Sequence, residues 1–155
     1  MLTSRNKRKI RLAGRICFFF YILLLIYFLF FAEWYGRDVQ VHQEPQYNLI
    51  PFLEIRRFWI YREQIGIRNV FLNLAGNVIG FIPFGFALPI IRRKHMKGIT
   101  VVILSMLMSI QVEVMQLVGR VGSCDVDDVI LNTFGAFLGY IGFWICNWIR
   151  KNLYK

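Results

Sequence analysis

The sequence predicts an all-α polytopic membrane protein with four transmembrane helices and an interfacial or re-entrant segment between the first and the second. Three observations lead there. Of the 155 residues, 57% are apolar and 17% aromatic against only 18% charged, a balance unlike that of a soluble domain. A helix needs roughly 20 mostly apolar residues to cross the hydrocarbon layer, and four stretches qualify: about 16–35, 69–91, 98–118 and 127–149. Finally, the basic residues collect on short flanks between these stretches, as they do on the cytoplasmic side of membrane proteins.

In chain order, residues 1–15 form a basic tail (Arg5, Lys7, Arg8, Lys9, Arg11, Arg15). The apolar run 16–32 that follows exceeds the usual signal-peptide core, and no A-x-A-like cleavage site succeeds it, so the expectation is a retained anchor. The stretch 33–68 is too polar to span. It sets five acids (Glu33, Asp38, Glu44, Glu54, Glu63) against five arginines, and it interleaves arginines with NLIPFLEI (48–55) and FWIY (58–61). That mixture suits an interfacial helix or re-entrant turn, the plainer alternative being a surface loop. In the second span Asn73, Gly76, Asn77 and Gly80 fall at i, i+3, i+4 and i+7, one helical stripe. Pro83 deprives the Ile79 carbonyl of its helical donor and predicts a kink there. In the fourth span Asp128, Asn132, Gly135, Gly139 and Gly142 also share a face. Small residues spaced by four let backbones approach in lipid, so the second and fourth helices are expected to touch through Gly76/Gly80 and Gly135/Gly139. No repeat or linker divides the chain, leaving a single transmembrane domain at 16–152.

The tail, the loop 92–97 and the C-terminal end hold thirteen of the nineteen Lys and Arg and none of the nine acids. The positive-inside rule makes these faces, and both termini, cytoplasmic. The stretches 33–68 and 119–128 then face outside. The net charge of +10 reflects topology and attraction to anionic lipid; scattered over three short flanks, it offers no nucleic-acid surface. Cys17 and Cys146 lie in different helices near the inner surface and Cys124 lies outside, so no disulfide is expected.

The motifs NLIPF at 48–52, N-x-x-x-N-x-x-x-F-x-P-x-G from Asn73 to Gly85, E-x-x-Q at Glu113 and Gln116, and R-x-x-x-x-D-x-x-D-x-x-x-N-T-x-G from Arg120 to Gly135 together resemble the VanZ-like family over about residues 48–142. The first span is similar only as a generic anchor. The resemblance implies a multi-pass protein of the bacterial cell membrane. Its namesake is an accessory member of glycopeptide-resistance gene clusters, linked to resistance to teicoplanin, a lipid-bearing glycopeptide.

On the predicted topology Asn73 and Asn77 occupy the outer half of the second helix, Glu113 and Gln116 the last turns of the third, and Asp125, Asp127, Asp128 and Asn132 the start of the fourth. Asn73, Asn77, Glu113, Gln116, Asp128 and Asn132, with Asp125 and Arg120, are expected to converge on one pocket open to the outer leaflet. Glu113 stands out, because an ionisable group inside a span costs about 2.5–3.5 kcal/mol on insertion scales; it is either functional or a carboxyl that fixes helix packing. Asp125 suits an N-cap, and Asp127 and Asp128 suit a first helical turn, where carboxylates meet the positive end of the dipole. Asp128 and Asn132, four residues apart on the glycine face, are candidates to line the site. Arg120 suits bidentate contact with the acids or a phosphate, or simple snorkelling.

Neither His42 nor His95 joins this cluster, Ser105 and Ser109 lack an evident base, and phosphate-loop, H-E-x-x-H and paired C-x-x-C motifs are absent, so nucleophilic catalysis is disfavoured and no cofactor is expected. The acids suit a hard divalent cation, without assigning one. Two readings remain. In the first, a non-enzymatic pocket binds a membrane lipid headgroup, a lipid-linked cell-wall precursor or a lipoglycopeptide. In the second, a membrane-embedded enzyme acts on such a lipid, with Glu113 and Asp128 as catalytic acid and base or as metal ligands.

Overall fold

The computed structural model describes residues 4–30, 47–92, 96–120 and 122–153, with the backbone alone at 4–7, 10 and 11. The end of the first expected span (31–35), the 33–46 part of the outer segment with His42, and the loop residues 93–95 with His95 lie outside the described residues. The elements are α1 (Ser4–Phe30), β1 (Tyr47–Asn48), α2 (Leu53–Ile60), α3 (Arg62–Ile65), α4 (Ile67–Ile91), α5 (Gly98–Gly119), β2 (Cys124–Asp125) and α6 (Val126–Leu153). Four stretches of helix are long and apolar enough to cross a membrane: Leu12–Phe30, Ile67–Ile91, Gly98–Gly119 and Val126–Leu153. The all-α membrane architecture therefore holds.

The centre of the bundle is the pair α4 and α6, with α5 beside α6 and α1 leaning on α4. Glycine makes the central approach possible. A Cβ built on Gly85 would lie 1.8 Å from the carbonyl oxygen of Ala136, one on Gly135 2.1 Å from that of Val78, and one on Gly139 2.0 Å from that of Ile82. Backbone thus meets backbone, the geometry small residues permit in lipid. The α6 half of the expected contact is present, whereas the α4 half is shifted. A Cβ on Gly76 would meet nothing within 4 Å, and one on Gly80 would face Leu25 of α1; Val78, Ile82 and Gly85 occupy the α6 face instead. A stripe of i, i+3, i+4 and i+7 wraps far enough round a helix to serve two neighbours, and here its glycines turn towards α1 or the surface.

Helix α1 packs through Leu25, Phe18, Tyr21 and Ile22 onto Phe81 and Phe84, and the Tyr21 hydroxyl donates to the Gly80 carbonyl at 2.6 Å. Its other face, with Phe19, Phe20, Leu23 and Leu24, is exposed, as a lipid-facing surface would be. Helix α4 continues through both Pro83 and Pro89. The three cysteines are free.

One end of the bundle collects the polar chain. There the last residues of α1 and α5 meet the first turns of α4 and α6: Gln116 Nε2 donates to the Leu29 carbonyl at 2.8 Å, and the Asn77 amide donates to Asp128 Oδ1. Strands β1 and β2 pair in parallel at this end, Tyr47 opposite Cys124 and Asn48 opposite Asp125. Among the described residues, Arg92, Lys97, Arg150 and Lys151 lie at the opposite ends of α4, α5 and α6.

Candidate functional site

The site is built on a succession of carboxylates, each holding a backbone amide. Glu113, on the buried stripe of α5 and 2% exposed, accepts from the Asp125 N–H at 2.9 Å through Oε2. Asp125 accepts from the Asp127 N–H at 2.9 Å and from the Asn48 amide at 3.1 Å. Asp127, 1% exposed, accepts from three backbone N–H groups at the start of α2: Phe52, Glu54 at 2.8 Å and Ile55 at 3.1 Å. The sequence placed Asp127 as a first-turn partner of its own helix dipole. The structure shows it capping a different helix.

The chain bends to allow this. Asn48 Oδ1 accepts from the Ile50 N–H at 3.0 Å, an Asx turn, and Phe52 sits in the left-handed region at φ 65° with no side-chain cap to offer. That conformation costs a non-glycine residue roughly 1–2 kcal/mol. Charge-assisted bonds to Asp127, each roughly 1.5–3 kcal/mol, are large enough to offset it. The NLIPF stretch is therefore the strap that closes on α6: Asn48 reaches Asp125, and Phe52 reaches Asp127.

The remaining candidates fall into separate groups. Asn77 and the partly buried Asp128 bridge α4 and α6. One turn deeper, fully buried Asn132 donates to Ser109 Oγ at 2.8 Å, while its Oδ1 has no hydrogen-bond partner among the described residues. Gln116 is buried and engaged with α1. Asn73 departs from the expected convergence: it is exposed and donates to the Asn69 carbonyl of its own helix at 3.4 Å. Arg120 is also exposed, in the left-handed C-cap of α5, and forms no ion pair among the described residues. The sequence reading missed Asn48 and Ser109. NLIPF carried the first as a motif without a role, and the i, i+4 spacing of Ser109 to Glu113 carried the second.

Electrostatically this end is crowded with acid. Burial raises the Asp125 carboxyl above its ordinary range, opposed by the Asp127 N–H and reinforced by the Asp127 charge. Burial likewise raises Glu54, opposed chiefly by Arg57, its ion-pair partner at 2.9 Å. The Cys124 thiol is pushed up by burial and by the charges of Glu113 and Asp125. Among the described residues no three acids, histidines or cysteines are grouped to hold a metal ion. The acids instead spend their lone pairs on backbone amides.

A model of the VanZ/LLP1 family matches residues 18–147. The chain belongs to the VanZ/LLP1 family. Protein VanZ of Enterococcus faecium is similar to it, 32% identical over 120 residues that cover 77% of this chain and 66% of that protein; the aligned part is thus just under two thirds of the relative. No solved structure matches. The match to the VanZ/LLP1 family begins inside α1, so the first span is part of the family domain and extends the resemblance read from residues 48–142. It also takes in the whole carboxylate succession from Glu113 to Asp127.

Proposed function

We propose that this VanZ/LLP1 protein is a non-enzymatic membrane protein whose outward-facing polar site, centred on Asp128 and Asn77, binds a lipid headgroup, a lipid-linked cell-wall precursor or a lipoglycopeptide. In that role it contributes to teicoplanin-type resistance, the property that the family resemblance implies. The observation that supports this reading is the division of labour among four neighbouring acids. Glu113, Asp125 and Asp127 are buried and hold backbone amides, whereas Asp128 is partly exposed and bonded to a side chain that a ligand can displace.

The enzymatic alternative, with Glu113 and Asp128 as acid and base, fits less well, because Glu113 Oε2 is already committed to the Asp125 N–H at 2% exposure. The outward assignment rests on the charge distribution. Labelling of Lys97→Cys in intact cells by an impermeant thiol reagent would reverse it.

The test is Asp128→Asn, which keeps size and hydrogen bonding and removes the charge. Expected are normal expression and thermal stability, with loss of co-purifying lipid by native mass spectrometry and loss of any teicoplanin tolerance the wild-type chain confers on its host. A folded Asp128→Asn protein that keeps both would overturn the proposal.

A further inference from the structure

Helix α2 turns Glu54, Ile55 and Phe58 inward and leaves Leu53, Arg56, Arg57, Trp59 and Ile60 on its exposed arc. Trp59 is 66% exposed and Ile60 53%. The arc alternates large apolar side chains with arginines, the mixture of an interfacial helix. The guanidinium groups stay close to aromatic rings, Arg57 5.8 Å from the Phe58 centroid and Arg62 5.3 Å from that of Trp59. Leu49 and Ile50, just before the helix, are exposed as well.

The height of α2 follows from its anchors. Its first amides are bonded to Asp127, the second residue of α6, and the chain after it enters α4 at Ile67. At 1.5 Å per residue α4 is about 38 Å long and α6 about 42 Å, against a hydrocarbon layer of about 30 Å. Both helices are thus longer than that layer, and α2 joins them at their N-terminal ends, fastened to the first turn of α6 and leading into α4. Trp at this depth, apolar neighbours below it and arginines at the phosphate level are the composition of an interfacial element, and guanidinium suits phosphate oxygens.

We infer that α2 and the start of α3 form a lipid-binding lip: Leu53, Trp59 and Ile60 insert among the acyl chains of the leaflet while Arg56 and Arg62 hold the phosphates of anionic lipid headgroups. The bilayer is the one occupant that supplies both the apolar cover and the negative charge. The inference is independent of what Asp128 binds.

To test it, Trp34, Trp144 and Trp148 are replaced by Phe, leaving Trp59 as the sole indole, and the full chain is reconstituted in phosphatidylcholine vesicles carrying acyl-brominated lipid, with or without phosphatidylglycerol. Trp59 emission should be lost to the brominated lipid and spared by aqueous acrylamide. Phosphatidylglycerol should deepen the loss, and Arg56→Gln/Arg62→Gln should abolish that increment. Quenching by acrylamide alone would place α2 in water, and quenching by neither reagent would place it under protein; each overturns the proposal. So would a response of the detergent-solubilised protein to inorganic phosphate equal to its response to phosphatidylglycerol, which would mark a general anion site. Brominated-lipid quenching that ignores both phosphatidylglycerol and the arginine variants would overturn the headgroup contact.

Discussion

Replacing Asp127 isolates the contribution of the cap that fastens α2 to α6. Asp127→Ala removes the acceptor for the Phe52, Glu54 and Ile55 amides at once. Phe52 is exposed and the other two residues are half-buried, so water can recover part of the loss. The fitting scale is then that of a strong N-cap, up to about 2 kcal/mol, rather than three unsatisfied buried donors at about 1–3 kcal/mol each. Undocking releases the left-handed Phe52 turn in wild type and variant alike and adds nothing to the difference, so the docking of α2 should weaken by about 1–2 kcal/mol. Asp127→Asn keeps one acceptor oxygen but turns an NH2 group towards backbone donors, and should lose about half as much. Hydrogen exchange of the three amides reads this directly. At about 1.4 kcal/mol per factor of ten, Asp127→Ala should accelerate their exchange roughly 5- to 30-fold while amides in the middle of α6 stay protected. Asp128→Asn should leave the three amides unchanged. Equal protection of Phe52, Glu54 and Ile55 in wild type and Asp127→Ala would refute the cap, and acceleration spread over all four spans would show that Asp127 supports the whole fold instead.

Gly139→Ala should destabilise the detergent-solubilised protein by about 1–3 kcal/mol, because its Cβ would have to retreat from 2.0 Å to the 3.0 Å that real contacts keep, forcing α4 and α6 apart. Gly76→Ala meets nothing within 4 Å and should be neutral or stabilising by up to about 1 kcal/mol; equal unfolding free energies for the two variants would place the helix contact elsewhere. For Asp125 the folded state raises the carboxyl, chiefly by burial, so the folded chain binds more protons than the unfolded one between the ordinary value near 4 and the raised one, and its stability falls as pH rises through that window. The thermal midpoint of wild type relative to Asp125→Asn, which keeps the acceptor oxygen without titrating, should therefore decline as pH rises above the ordinary carboxylate value near 4; a difference that is flat or rises would contradict the sign.

The four spans were legible because hydropathy over some twenty residues integrates many side chains and tolerates error in any one. Single-residue roles were less so, for geometric reasons. Asp127 and Asp128 look alike in sequence, yet a step of about 100° round α6 sends one under α2 and the other towards Asn77. Asn73 and Asn77 share a stripe, but the first lies one turn nearer the start of α4 and turns back to the Asn69 carbonyl of its own helix. Gly85 went unremarked as a contact residue beside the more conspicuous Gly76 and Gly80, since spacing alone does not say which neighbour a stripe faces. The two-residue β1–β2 ladder is too short for any periodic signal, and its partners stand 77 residues apart.

That separation carries a consequence for biogenesis. The amides of Phe52, Glu54 and Ile55 find their acceptor 72 to 75 residues later in the chain. At about 5–20 residues per second, translation leaves α2 without it for roughly 4–15 s. Throughout that interval the NLIPF strap and α2 hang between two inserted or inserting spans with the turn unclosed. Only when the last helix arrives does its second residue fasten the strap. Asp127 is thus a completion latch: a chain arrested before α6 carries an uncapped α2, and a finished one holds its first amides on α6.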